Sequence, residues 1–339
     1  MTTASIERLA AWAMGTRFEL VLAADDAGGG GRELRAIGEA ALAEVADLDA
    51  RWSLFRPDSV VSLINREAGE RAVRVDHDTF AVLMLAERVR VDSGGLFDVA
   101  VADAMERWGF RGEDFTTEAR RTQSQEQIGL ASNSYCVAAP GSPPCSLCLC
   151  DESSSVRFIR PGTSIDVGGI AKGYAIDAAL RVLREHGVTR ALIHGGTSSV
   201  GAIGAPPGED GWRVAIESPG GRTGCGRPVV TLRDSCLAVS SPSGREVEFD
   251  GLRFGHIIDP RTGDPAACAR TACVIGPSAA LCDAWAKPVL IERGRPRGLP
   301  TGYAILVDPD GDSRAGHSPG CCVTDPLRSL PEARPTEVR

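Results

Sequence analysis

The segment DVGGIAKGYAID, residues 166–177, is the most informative stretch of the chain. Its pattern predicts a strand that runs into Gly168 and Gly169 and continues as a helix. Glycines let a ligand approach the backbone closely, and the N–H groups at the start of a helix favour anions. Lys172 adds a positive charge beside them. The segment predicts either a phosphate-binding turn or a tight strand-to-helix turn with a surface lysine; it lacks the GxxxxGK[ST] spacing of a P-loop.

The regions on either side of this segment alternate between helical and extended patterns. Apolar residues at helical spacing predict amphipathic helices, and short apolar runs predict strands. We expect helices at 33–50, 77–92, 171–186 and 278–291, the last of them helical until Pro288, and a short one that follows the turn at 57–59. Strands are expected at 14–24, 156–159, 191–194, 212–217, 229–233, 236–240, 272–276 and 303–307. Helices and short strands without a fixed repeat indicate an α+β fold.

A second segment with chemical potential is GHIIDPRTG, residues 255–263. His256 can accept a proton near neutral pH, and a neighbouring carboxylate such as Asp259 can orient an imidazole. The same residues also suit an ordinary turn in which Asp259 caps the backbone. The pattern leaves both interpretations open.

A third segment, ALCDAWAK at residues 280–287, places Asp283 on an apolar helix. A carboxylate in such surroundings needs a partner. One option is a divalent cation with Asp283 as an oxygen ligand. The other, which local spacing favours, is an i,i+4 ion pair between Asp283 and Lys287.

The composition is that of an ordinary globular protein: 339 residues, 43% hydrophobic and 24% charged, with a formal net charge of −8. An acidic chain is a poor candidate for binding nucleic acid or an anionic membrane surface. No stretch has the apolar length of a membrane span. The first residues lack a basic segment followed by a long apolar run. These features predict no membrane span and a cytoplasmic location.

The regions 115–155 and 309–339 differ in composition from the rest of the chain. The first is polar and then rich in Ser, Pro and Cys, which predicts a variable, irregular insertion. The second is rich in Pro, Gly and Ser, which predicts a flexible tail. The 11 cysteines include a cluster within 136–150, at Cys145, Cys148 and Cys150. An odd total argues against a disulfide framework; reduced thiols are favoured over a metal site, because no second pair of ligands is evident.

Taken together and in this order, the motifs resemble the FAD:protein FMN transferases, the ApbE-like family. The resemblance runs from Met14 to Leu306, within an expected domain at 10–308. Its most specific markers are the 166–177 segment and HIIDPRTG at 256–263. Further markers are MGTRF at 14–18, SLFRPDS at 53–59, GGLFD at 94–98, WG at 108–109, GGTSS at 195–199 and the helix with Asp283.

The resemblance implies a two-lobed fold with mixed sheets and flanking helices, and an FAD-binding cleft between the lobes. Two residues match positions that pack on the flavin, Met14 and Phe55. Residues Leu96, Phe97 and Asp98 match a turn that contacts it. Further FAD contacts are expected at Asp166, Lys172 and Ile257.

The resemblance also implies a reaction. FAD is the substrate, and a Ser or Thr hydroxyl of an acceptor protein attacks the FMN-side phosphorus while AMP leaves. The main-chain carbonyl of Gly169 and the carboxylate of Asp283 match Mg²⁺ ligands, and His256 matches the residue that activates the acceptor hydroxyl. Such phosphoryl transfer depends on positioning and on neutralising negative charge.

The chain departs from the family pattern at Lys287, where a Thr is usual four residues after the metal-binding Asp. Lys287 is expected either to occupy the place of the metal or to pair with Asp283 and weaken Mg²⁺ binding. Two alternatives to the transferase follow: an FAD pyrophosphatase that uses water as the acceptor, and a flavin-binding protein with weakened catalysis.

Overall fold

The computed structural model describes residues 5–24, 31–110, 146–217, 228–243, 246–249 and 252–308. No helix within these ranges is long and apolar enough to cross a membrane. The helices are α1 (Gly31–Trp52), α2 (Val60–Glu67), α3 (His77–Asp92), α4 (Ala102–Arg107), α5 (Ala171–Glu185) and α6 (Ala279–Glu292). The strands are β1 (Ser5–Ala13), β2 (Thr16–Ala24), β3 (Val73–Arg74), β4 (Leu147–Cys150), β5 (Ser155–Phe158), β6 (Ala191–Gly195), β7 (Ser199–Ile203), β8 (Trp212–Ala215), β9 (Val229–Leu232), β10 (Cys236–Ser240), β11 (Glu246–Phe249), β12 (Leu252–Gly255), β13 (Ile258–Asp259), β14 (Asp264–Pro265), β15 (Thr271–Gly276) and β16 (Ala304–Asp308).

A seven-stranded sheet with the order β1-β2-β6-β7-β10-β15-β16 organises the fold. Its neighbouring strands are all antiparallel, and so are the smaller ladders among the described strands. The α+β class is confirmed, but the expectation of mixed sheets is wrong. Short turns join β1 to β2 and β6 to β7, and such connections make the two strands run in opposite directions.

Two layers cover this sheet. Helices α1, α5 and α6 pack on one face, where buried residues such as Leu48, Ile176 and Trp285 form the main apolar core. The β8–β9 hairpin covers the other face around Trp212 and Leu237. Strand β15 lies between the two layers and is buried along its whole length, as a strand packed on both faces must be.

The β1–β2 hairpin turns at Met14 and Gly15, whose φ angles are 52° and 69°. Two positive φ angles in succession are typical of the tight turn that suits the twist of a hairpin. The strand predicted at 14–24 therefore begins at Thr16, and Met14 lies in the turn. Strand β1 was not predicted, because it buries only Leu9 and Ala13 and so lacks a clear alternation of apolar residues.

Helices α5 and α6 are fixed to each other at close range. An added Cβ at Gly173 would lie 2.2 Å from the carbonyl oxygen of Ala279, so only glycine allows this approach. One turn further along α5, the Asp177 carboxylate accepts hydrogen bonds from the Ser278 hydroxyl (2.7 Å) and from the N–H groups of Ala279 (2.8 Å) and Ala280 (2.9 Å). Burial raises the pKa of Asp177, and these three bonds oppose the rise. They satisfy donors that the first turn of α6 cannot satisfy itself.

Two segments are more regular than the sequence predicts. Helix α6 does not end at Pro288 but continues to Glu292, because Val289 and Leu290 are fully buried. Their packing outweighs the hydrogen bond that proline cannot donate. The region expected to be an irregular insertion contains β4, which pairs with β5 and buries Leu147. Residues 115–145 of that insertion, and the predicted tail at 309–339, lie outside the described residues.

Replacing Gly173 by alanine should destabilise the protein by about 2 kcal/mol, because the new methyl group collides with backbone atoms that cannot move cheaply. Helix propensity alone predicts the opposite sign, since alanine is favoured over glycine in a helix by about 1 kcal/mol. Urea unfolding gives the free energy of unfolding. Gly69→Ala is the control, because an added Cβ there meets nothing within 4 Å; equal stability of Gly173→Ala and the wild type would contradict the close contact.

Replacing Asp177 by alanine should cost about 2 kcal/mol, because the donors at the start of α6 lose their acceptor in a buried place. Thermal and urea unfolding both measure this loss. The control is Glu39→Ala, which removes a carboxylate from an exposed ion pair with Arg35 and should change stability little. If the two variants are equally stable, Asp177 does not anchor α6.

Candidate active site

The glycine turn before α5 is held by Asp166. The Asp166 carboxylate accepts a hydrogen bond from the Gly168 N–H (2.7 Å), and residues Val167–Gly169 form one turn of 3-10 helix. The Asp166 N–H donates to the carbonyl oxygen of Val99 (2.7 Å). The predicted turn into a helix is therefore present, but the strand expected before it is not, because residues 163–166 pair with no other described strand. The Val99 contact ties the turn to the segment that follows Asp98.

The predicted flavin-contacting turn, Leu96 to Asp98, adjoins this glycine turn. An added Cβ at Gly169 would lie 3.1 Å from Cε2 of Phe97, so the Phe97 ring packs against the backbone of the turn. Leu96 and Phe97 are both buried. The Asp98 carboxylate accepts a hydrogen bond from the Ala100 N–H (2.8 Å), and burial raises the pKa of Asp98. Phe97 and the glycine turn at 166–169 are thus in direct contact.

The side chain of Lys287 lies between Gly169 and Asp283. Its ammonium donates to the carbonyl oxygens of Gly169 (2.7 Å) and Asp283 (2.8 Å) and forms an ion pair with Oδ1 of Asp283. The second carboxylate oxygen, Oδ2, accepts from the Gly173 N–H (3.2 Å). The predicted i,i+4 ion pair is confirmed. Both groups predicted to bind Mg²⁺ are engaged by the lysine.

The ion pair is buried mainly on the carboxylate side. The Asp283 side chain is 3% exposed and that of Lys287 is 19% exposed. Burial lowers the pKa of Lys287, Lys172 lowers it further, and the Asp283 carboxylate opposes both effects. Within the described ranges, no side chain or backbone group pairs with the ammonium of Lys172. Lys172 is therefore the cation of this site that is available to an anionic ligand.

His256 follows β12, and the adjoining turn is built around Asp259. The Asp259 carboxylate accepts hydrogen bonds from the N–H of Arg261 (3.0 Å) and from its guanidinium (2.7 Å). Burial alone would raise the pKa of Asp259, but the bonds from Arg261 leave it lowered. Asp259 therefore caps its own turn, as one of the two interpretations of this segment predicts, and the role of His256 stays a prediction. Ile257 is buried in the main core.

The segment from Phe97 to Trp108 connects the glycine turn to the histidine turn. At one end Phe97 packs on Gly169. At the other end the Trp108 indole donates to the carbonyl oxygen of Gly263 (3.0 Å), and its ring lies 5.5 Å from that of Phe254. The two motifs are thus attached to the same short stretch of chain on either side of α4.

Two predicted flavin contacts are not brought into this cluster by any described contact. Phe55 is 83% exposed, and Met14 lies in the β1–β2 turn, where it packs on the edge of the core. Their roles, like the ligand cleft between two lobes, stay predictions. An exposed aromatic ring of this size is nevertheless available for stacking on a planar ligand.

Sequence reasoning missed the positioning role of Asp177 and the second contact of Lys287. The signal for the first was present, since Gly169, Gly173 and Asp177 are spaced by four residues and share one side of the helix start. The contact of Lys287 with Gly169 spans 118 residues, so spacing along the chain could not predict it.

The chain is similar in sequence to several FAD:protein FMN transferases. The chain is 32% identical over 245 residues to the FAD:protein FMN transferase of Rhodobacter capsulatus. The matched region covers 71% of this chain and 43% of that protein. It is 30% identical over 229 residues to the enzyme of the same name from Treponema pallidum, covering 63% of this chain and 59% of that one. The chain thus spans less than two thirds of the length of these relatives.

Solved structures show the same fold. The ApbE protein of Thermotoga maritima superposes with a TM-score of 0.72 at 24% identity, covering 89% of this chain and 94% of that one. The flavin transferase ApbE from Vibrio cholerae superposes with a TM-score of 0.69 at 23% identity, covering 90% and 94%. A sequence model of the ApbE family matches residues 14–297, and the chain therefore belongs to the ApbE family.

Proposed function

We propose that this chain transfers the FMN part of FAD to a Ser or Thr hydroxyl of an acceptor protein. The similarity to the FAD:protein FMN transferases of Rhodobacter capsulatus and Treponema pallidum supports this activity. The observation that carries the proposal is the convergence of the glycine turn, Phe97 and Asp283 at the start of α5, with Lys172 beside them. This arrangement suits a ligand that is aromatic at one end and carries phosphates.

The start of α5 and Lys172 would hold the pyrophosphate. The first N–H groups of a helix point out of its end, and together with the helix dipole they attract an anion. Lys172 supplies a full positive charge in the same place. In a chain with a net charge of −8, the overall field opposes FAD, so this local positive charge has to overcome it.

The chemical step would be an in-line displacement at phosphorus. The acceptor oxygen bonds to the FMN-side phosphorus, and the bond from that phosphorus to the bridging oxygen breaks. AMP leaves with the bridging oxygen. His256 accepts the hydroxyl proton, since an imidazole is suited to this at neutral pH. The acceptor protein and the cytoplasmic location remain predictions from sequence.

Mg²⁺ assistance is what the family resemblance predicts for Gly169 and Asp283. In the structure the Lys287 ammonium engages both groups, so they do not fit a metal ion in this arrangement. Neutralisation of the pyrophosphate therefore falls to this chain's own groups, which are Lys172 and the N–H groups at the start of α5 other than that of Gly173, which donates to Asp283.

The decisive test of the proposed function is incubation with FAD and a candidate acceptor domain. Covalent flavin on the acceptor, detected by in-gel fluorescence and by mass spectrometry of the modified peptide, is the expected result. Free FMN and AMP without labelled acceptor would identify a pyrophosphatase instead. Bound but intact FAD would identify a binding protein.

His256→Ala should slow flavin transfer by at least about 100-fold while FAD affinity stays close to that of the wild type, because the variant loses a proton acceptor and no phosphate contact. Transfer rates and FAD titrations measure the two effects separately. His186→Ala is the matched control, since His186 is exposed at the opposite end of α5 and should transfer flavin normally. Unchanged transfer by His256→Ala would refute the role of His256.

Lys172→Ala should weaken FAD binding by about tenfold to 100-fold, which corresponds to one charge-assisted phosphate contact. Riboflavin has no phosphate, so its affinity should not change. Arg184→Ala removes the same charge from an exposed position on the same helix and serves as the control. An equal loss of affinity for FAD and riboflavin would show that Lys172 acts through the fold and not on the phosphates.

A further inference from the structure

The Lys287 ammonium is held as a cation in a coordination site. An ammonium has three N–H donors and no acceptor, and three oxygen atoms surround this one: the carbonyl oxygens of Gly169 and Asp283 and Oδ1 of Asp283. All three donors are therefore used within the protein. Three oxygen atoms around one positive charge are the arrangement in which a small cation is bound. Here the cation is the ammonium group of Lys287.

A divalent ion at Gly169 and Asp283 would have to displace this ammonium. The displaced group is on a side chain that is only 19% exposed, and it would remain close to the incoming ion. Two like charges at short range in a poorly solvated place repel strongly. The same two oxygen ligands therefore accommodate either the lysine or a metal ion, and not both.

The lysine content of the chain also indicates that Lys287 serves as the cation of this site. Of the 37 lysine and arginine residues, only two are lysines, and they are Lys172 and Lys287. Both lie at this site, where the positive charge of Lys172 lowers the pKa of Lys287. A compact ammonium fits three converging oxygens, whereas the planar fork of arginine does not. Lysine is thus used where a point charge is required, in a chain that otherwise uses arginine.

We infer that Lys287 serves as a built-in cation in place of a divalent metal ion, so that this chain binds FAD without one. The inference rests on the proposed function in taking FAD as the ligand. The charge of Lys287 offsets that of Asp283, so the pair is neutral as a unit and does not repel the pyrophosphate. Lys172 then provides the net positive charge.

The first test measures FAD affinity of the wild-type protein in excess EDTA and in millimolar Mg²⁺, by quenching of flavin fluorescence. The two dissociation constants should agree within about twofold, which is less than 0.5 kcal/mol. Tightening by Mg²⁺ of about tenfold or more would overturn the inference. This comparison needs no substitution and therefore carries no risk of misfolding.

Two substitutions at Lys287 extend the test. Lys287→Thr opens space and supplies a hydroxyl oxygen, so its FAD affinity should become dependent on Mg²⁺ by about tenfold or more. Lys287→Met fills a similar volume without a charge or a hard ligand, so it should bind FAD more weakly than the wild type and not respond to Mg²⁺. If Lys287→Thr folds and remains insensitive to Mg²⁺, Gly169 and Asp283 are not cation ligands, and the inference is wrong.

Binding of Mn²⁺, followed by electron paramagnetic resonance without FAD, separates this inference from the proposed function. The wild type and Asp283→Asn should bind the same amount of Mn²⁺, because Lys287 already occupies the Asp283 carboxylate in the wild type. Mn²⁺ that binds the wild type and is lost in Asp283→Asn would overturn the inference. If the wild type binds no FAD in either buffer, the proposed function fails, and the Mn²⁺ result alone decides the role of Lys287.

Discussion

Three hydrogen bonds to the Asp177 carboxylate hold the start of α6 against α5, two helices whose bonded residues are 102 positions apart in the chain. Each further contact between the two segments lies four residues earlier on the α5 side and four residues later on α6. Asp177 contacts Ala279, Gly173 contacts Asp283, and Gly169 contacts Lys287. Four residues are about one helical turn. The register that Asp177 sets therefore determines which side chain of α6 reaches the glycine turn.

The local parts of this site could be predicted from sequence, but the way they meet could not. The turn at 166–169 follows from two glycines before a helical pattern, and the ion pair between Asp283 and Lys287 follows from i,i+4 spacing. The contact of Phe97 with Gly169 depends on how distant segments pack. Periodicity contains no information about which helix faces which, so only the family resemblance predicted that these residues share a site.

The errors in the predicted elements have a common physical cause. Sequence patterns report average environments, and each error falls where the environment is unusual. Strand β1 is an edge strand with Trp12 77% exposed, so its alternation is weak. Strand β4 has cysteine and serine neighbours that indicate a loop, yet pairing with β5 orders it. Helix α6 passes through Pro288 because the residues beyond it are buried. In each case tertiary packing outweighs local preference.

A cation that is part of the chain obeys different thermodynamics from one taken from solution. Occupancy of a metal site follows mass action, and the ion adds to the stability of the fold only to the extent that it is bound. The ammonium of Lys287 is present at a fixed effective concentration wherever the protein is folded, although its desolvation has to be offset by the Asp283 partner. Stability and ligand affinity at this site therefore do not depend on the concentration of a metal ion. A change in that concentration then cannot regulate ligand binding by this chain.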